Sequence, residues 1–74
     1  MNEEYIGGQM IGYFQQELKW ANKLITSNAG EPWEIKQQTL QRMLGCANFC
    51  QNLGVDYNFI ESCYNKYKDK VEQI

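Results

Sequence analysis

The stretch CANFCQNLGVDYNFIESCYNKY, from Cys46 to Tyr67, decides the fold. Leu53 is the last apolar residue of an incoming periodic run, and Gly54 follows at once. A glycine at that point reaches the left-handed backbone that closes a helix end without a Cβ clash. Asp56 then offers a carboxylate to the free N–H groups of a new first turn. Val55, just before that cap, and Ile60, four residues into the new helix, have the spacing of a hydrophobic staple. A helix stop and a helix start thus lie within about three residues, and the two helices meet at a tight elbow.

Upstream of the elbow the periodicity predicts a helix over about 32–53. TSNAGE, Thr26 to Glu31, reads as a loop, and Pro32 suits a first helical position, where its missing N–H is harmless. Trp33, Ile35, Leu40, Met43, Leu44, Ala47, Cys50 and Leu53 are the expected buried face of this helix. Gln37, Gln38, Gln41, Arg42, Asn48 and Asn52 are its expected wet face. Phe49 falls on the wet side beside Gly45, which marks it as a candidate contact residue.

Further upstream, Asn2 can cap a helix over about 3–27. Ile11, Phe14, Leu18, Ala21 and Ile25 recur at three and four, and Tyr13 and Trp20 widen the stripe to about half the circumference. That breadth exceeds what one neighbour covers and fits a helix packed inside its own chain and against another copy. Glu17 lies within the apolar arc, so its carboxylate either stays in water at the core edge or meets a cation across an interface. Gly7, Gly8 and Gly12 predict fraying or a start near Gln9. Downstream, Ile60, Cys63, Tyr64, Tyr67, Val71 and Ile74 predict the seam of a third helix over about 57–73. The expected fold is one all-α domain, residues 1–74, of three helices, forming a homodimer.

Cys50, Leu53, Gly54, Val55, Asp56, Ile60 and Cys63 resemble the helix-turn-helix family. In that family a small residue stands four before the turn glycine, apolar residues flank the glycine, and a capping residue follows. The resemblance implies that the last helix reads DNA, with Tyr57, Asn58 and Asn65 on bases and lysines on phosphate. The outward residues Asp56, Tyr57, Asn58, Glu61, Ser62 and Asn65 contain no cation. Gly7-Gly8-Gln9 also looks like the GGQ of peptide-chain release factors, a motif that there sits at a loop tip on a larger RNA-contacting protein.

The composition narrows the function classes. The net charge is −2, with seven basic residues against nine acidic ones. No clustered basic footprint for nucleic acid emerges from that balance. The sequence contains no histidine, so the commonest general base is missing, and Cys46, Cys50 and Cys63 have no imidazole to activate them. Three thiols alone do not complete a four-ligand zinc site, and no cofactor is expected. An odd cysteine count and no apolar run of about 20 residues predict a reduced cytoplasmic protein off the membrane. Ten aromatic residues in 74 are many for a chain that buries only about 60% of its unfolded surface.

The expected function is therefore non-catalytic protein binding. The size and acidity fit a small phage or mobile-element inhibitor of a host protein, acting in the host cytoplasm. Glu61, Asn65, Asp69 and Glu72 follow helical spacing down one face, an acidic edge suited to a surface that normally holds nucleic acid. Phe49 and Glu17 complete the candidate partner-binding set. A DNA-binding regulator and a structural subunit of a homo-oligomer are the two alternatives.

Overall fold

A computed structural model describes residues 2–74. Three helices account for most of it: α1 (Glu3–Thr26), α2 (Pro32–Asn52) and α3 (Tyr57–Glu72). Among the described residues there is no strand. Each helix packs against the other two in a body of 40 × 16 × 15 Å.

Local chemistry fixes each helix end. The Asn2 side chain accepts from the Glu4 and Tyr5 N–H groups at 2.8 and 3.3 Å. At the elbow the Gly54 N–H donates to the Gln51 carbonyl and the Val55 N–H to the Cys50 carbonyl, a Schellman closure with Gly54 at φ 99°. Asn28, at φ 56°, closes α1 in the same way through Asn28 to Ile25 and Ala29 to Leu24. Asp56 caps α3 by accepting from the Phe59 N–H at 3.0 Å, and Val55 and Ile60 are both buried. The Asp56 N–H in turn donates to the Glu3 carboxylate at 2.8 Å. In a capping box that acceptor comes from the same helix; here it comes from α1, which ties the start of α1 to the elbow.

The expected fraying at Gly7 and Gly8 is not seen, since α1 is helical from Glu3 onward. Asn2 and the Glu3–Asp56 bond hold its first turn, and Gly7 has a packing role. A Cβ there would stand 3.1 Å from the Phe59 ring, so the glycine lets α3 come close. Gly7-Gly8-Gln9 lies within α1 and not at a loop tip.

The helices run up, down and up. Glu3 meets Asp56 and Gln15 meets Tyr67, so α1 and α3 rise together. Glu17 meets Arg42 and the Lys36 ammonium reaches the Glu72 carbonyl, so α2 descends between them. With 16 residues α3 is about 24 Å long and cannot lie across a body 16 Å wide. The elbow is therefore an antiparallel reversal, not the steep crossing of about 90–120° that a helix-turn-helix requires.

Phe14, Met10, Met43 and Val71 form the fully buried centre, with the Phe14 ring 5.8 Å from Tyr67 and 6.3 Å from Tyr64. The buried face of α2 differs from the expected one. Trp33, Leu44 and Leu53 are exposed, whereas Thr39 is completely buried. Ile35, Thr39, Met43 and Ala47 form the line at every fourth residue that points between α1 and α3, and the polar Thr39 on it is not an apolar letter.

Candidate functional site

Seven of the ten aromatic side chains are exposed: Tyr5, Tyr13, Trp20, Trp33, Phe49, Tyr57 and Phe59. Their placement is uneven. Tyr5, Gln9 and Tyr13 stand one turn apart on α1, and Phe49 and Leu53 stand one turn apart on α2. Between these two rows runs a groove of about 320 Å³, floored by Ile6, Met10, Cys46 and Cys50. No Asp, Glu, Lys or Arg lines it. Phe49 is 62% exposed and Tyr5 65% exposed, so both rims present ring faces to solvent.

The groove exists because two helices share one turn spacing. On α2, the three-residue steps from Cys46 to Phe49 and from Cys50 to Leu53 place a thiol inside and a large side chain at the lip. On α1, Ile6 and Met10 point inward while Tyr5, Gln9 and Tyr13 flank them on the outer side. Burial, and then the neighbouring Cys50, push the Cys46 thiol up to about 11, and burial raises Cys63 as well. Neither supplies appreciable thiolate at neutral pH. Tyr13 is raised by burial and by the Glu17 carboxylate.

At the far end of the same face, Trp20 is half exposed beside Gln16, Lys19, Lys23 and Arg42. Glu17 accepts from the Arg42 side chain at 2.6 Å within the chain. Its cation is thus an intramolecular one, neither water alone nor a partner's charge. A smaller groove of about 180 Å³ lies between α2 and α3, with Leu44, Tyr57, Glu61 and Tyr64 around it.

No family model, curated protein or solved structure matches this chain.

The remaining sequence-derived candidates are spread out. Glu61, Asn65, Asp69 and Glu72 are all exposed along one face of α3, which is not the face that carries Phe49 or Glu17. Tyr57 and Asn58 are exposed in the first turn of α3, and Glu61 raises the Tyr57 phenol by accepting its hydrogen bond and by its charge. Among the described residues no group of three His, Cys, Asp or Glu is close enough to hold a metal ion. No helix among them is long and apolar enough to cross a membrane. Sequence reasoning marked Phe49 but missed Tyr5 and Leu53 as its neighbours. The signal was present as aromatic residues at both flanks of a core stripe, but only the helix pairing says which flank of α1 meets which flank of α2.

Proposed function

We propose that this protein is a non-catalytic protein-binding module whose docking face is the α1/α2 groove. The observation that supports this is the ring of Tyr5, Tyr13, Phe49 and Leu53 around a groove lined by no Asp, Glu, Lys or Arg. Aromatic side chains at that exposure carry large contact area at low entropic cost, and interface centres are enriched in them and depleted of charge. Nothing nearby supplies a general base, an activated thiol or an anion cradle, so the groove has the means to bind and none to react.

A photoreactive phenylalanine at position 49, with a second variant at Gln37 as the control face, tests the proposal. Adducts formed from position 49, lost on Tyr5→Asp with helicity retained, support docking in the groove. Equal adducts from position 37, or none from position 49, exclude it.

A second surface has one observation in its favour. Among the described residues the only ion pair is Arg42–Glu17, so Glu61, Asp69 and Glu72 carry no cation. That leaves the acidic edge of α3 free for a basic surface on a host protein, the inhibitory role expected from the charge pattern. Reversing Asp69 and Glu72 to lysine while helicity is unchanged tests it; binding to a basic partner must disappear.

A further inference from the structure

We infer that the occupant of the groove is a second copy of this chain, related by a two-fold axis, with Trp20 of each copy seated in the groove of the other. The inference rests on the protein-binding reading of the same groove. Three independent observations lead to it.

The first is placement. Gln9, Tyr13, Gln16 and Trp20 are spaced at i, i+4, i+7 and i+11, so Trp20 stands on the same outer stripe of α1 as the groove rim. The centre of the groove lies near Gln9, about 16 Å along α1 from Trp20. A two-fold axis crossing α1 midway, between Phe14 and Gln15, carries each Trp20 onto the other copy's groove. An isologous interface needs this reciprocity: a knob and a hole equidistant from one axis on one face.

The second is charge. The end of the bundle formed by residues 2–13 and 43–62 holds Glu3, Glu4, Asp56 and Glu61 and no Lys or Arg. The other end holds all seven basic side chains with five carboxylates. Charge is therefore segregated along the 40 Å axis. Antiparallel docking lays the acidic end of one copy on the basic end of the other. Glu3 and Glu4 line the α1/α3 side of that end, behind the groove, so the opposition is between whole ends and not between charges at the groove mouth. Parallel docking would oppose like ends. Screening over about 8 Å weakens this end-to-end effect, which acts on specificity and encounter more than on affinity.

The third is area. A folded monomer of 8.7 kDa exposes about 4,700 Å² on average, and this one exposes 5036 Å². A specific interface needs about 600 Å² from each partner at its small end. A face 40 Å long and 16 Å wide offers about 640 Å² in projection, so a second copy must use its full length, beyond the span of about 22 Å from Tyr5 to Trp20. A pairing that covered the groove alone would fall short. The expected dimer is weak, with a Kd on the order of micromolar.

Sedimentation equilibrium from about 1 to 300 µM, spanning that range, tests the inference. The expected mass rises with concentration from 8.7 kDa towards about 17 kDa. Trp20→Ala and Phe49→Asp each weaken association at least tenfold while circular dichroism stays helical, and Tyr5→Asp serves in place of Phe49→Asp if the latter unfolds. In a Trp33→Phe background the emission of Trp20 shifts to the blue as the dimer forms. A photoreactive residue at position 20 cross-links to residues 5–13 or 46–53 of the other copy, as antiparallel seating requires. A chain that stays at 8.7 kDa throughout overturns the inference. If position 49 still cross-links to a different protein in that case, the protein-binding reading survives without self-association. A dimer indifferent to Trp20→Ala overturns the seating of Trp20. A dimer whose position-20 cross-links fall within residues 14–26 of the other copy overturns the antiparallel arrangement.

Discussion

Replacing Thr39 by valine exchanges one hydroxyl for a methyl of almost the same size at the centre of the bundle. Thr39 is 0% exposed, and its Oγ1 has no hydrogen-bond partner. A buried hydroxyl without a partner costs about 1–3 kcal/mol, the hydration it lost on folding. Valine keeps both branches of the side chain and suits the shape already present, so the change opens no cavity and inserts no bulk. The expected gain is about 1 kcal/mol, the lower end of that range, because the shorter C–O bond lets the surroundings fit the hydroxyl slightly more closely than a methyl. For a domain of this size, 1 kcal/mol raises Tm by about 4–8 °C. Urea unfolding followed by circular dichroism is the assay, at one fixed protein concentration because any self-association makes stability concentration-dependent. The midpoint should rise with the slope unchanged. Thr39→Ser keeps the hydroxyl, loses the methyl and should destabilise. A valine variant no more stable than wild type would refute the reasoning, since it would mean the hydroxyl donates to a helix carbonyl in solution.

Three further outcomes follow from the helix ends and the thiols. Gly54→Ala should cost about 1–2 kcal/mol in the same urea assay. A Cβ there meets nothing within 4 Å, so the left-handed backbone at φ 99° is the sole source of the penalty. Glu3→Ala should cost about 1 kcal/mol by removing the acceptor of the Asp56 N–H, and hydrogen exchange at Asp56 should quicken while exchange at Tyr67 tracks only the global loss. Folding should hold the Cys46 proton, with the thiol pushed from 9.0 to about 11, so this contribution to stability is full below pH 9 and is lost as pH rises towards 11. Cys46→Ala should flatten that alkaline decline; an unchanged slope between pH 9 and 11 would exclude Cys46 as its source.

The all-helical class and the three helices were legible because each depends on local chemistry. Gly54, Asp56, Pro32 and Asn2 act on the turn that contains them, and no distant contact is needed to read them. The early glycines were misread for the opposite reason. Gly7 owes its place to Phe59, and the first turn owes its order to Asp56; both partners are more than fifty residues away in sequence. Thr39 was overlooked because a period count weighs only apolar letters, although threonine's β-branch fills core space. Trp33 and Leu44 were counted as buried from the apolar pattern, yet Trp33 stands exposed in the first turn of α2 and Leu44 at the lip of the α2/α3 groove, where it is only partly covered. The Glu17–Arg42 pair was half legible. The carboxylate in the apolar arc stood out, but its cation is on another helix, and only the pairing of α1 with α2 identifies it.

The exposed aromatics follow from the same geometry. Three helices packed side by side give each helix two neighbours, and the stripe between those neighbours is the one that becomes dry. On α1 that stripe runs through Met10, Phe14 and Ala21. Tyr13 and Trp20 lie off its edge, where two neighbours cannot reach and a third could. Among the described residues there is no fourth helix to supply that neighbour. Solvation by water leaves their apolar area exposed, at about 25 cal/mol per Å² forgone. A second α1, laid antiparallel, would bring a helix to that edge and would do so twice with one contact geometry. The proposed antiparallel pair would thus answer both the aromatic load that a single bundle leaves uncovered and the charge asymmetry along its axis, although one concerns area and the other concerns sign.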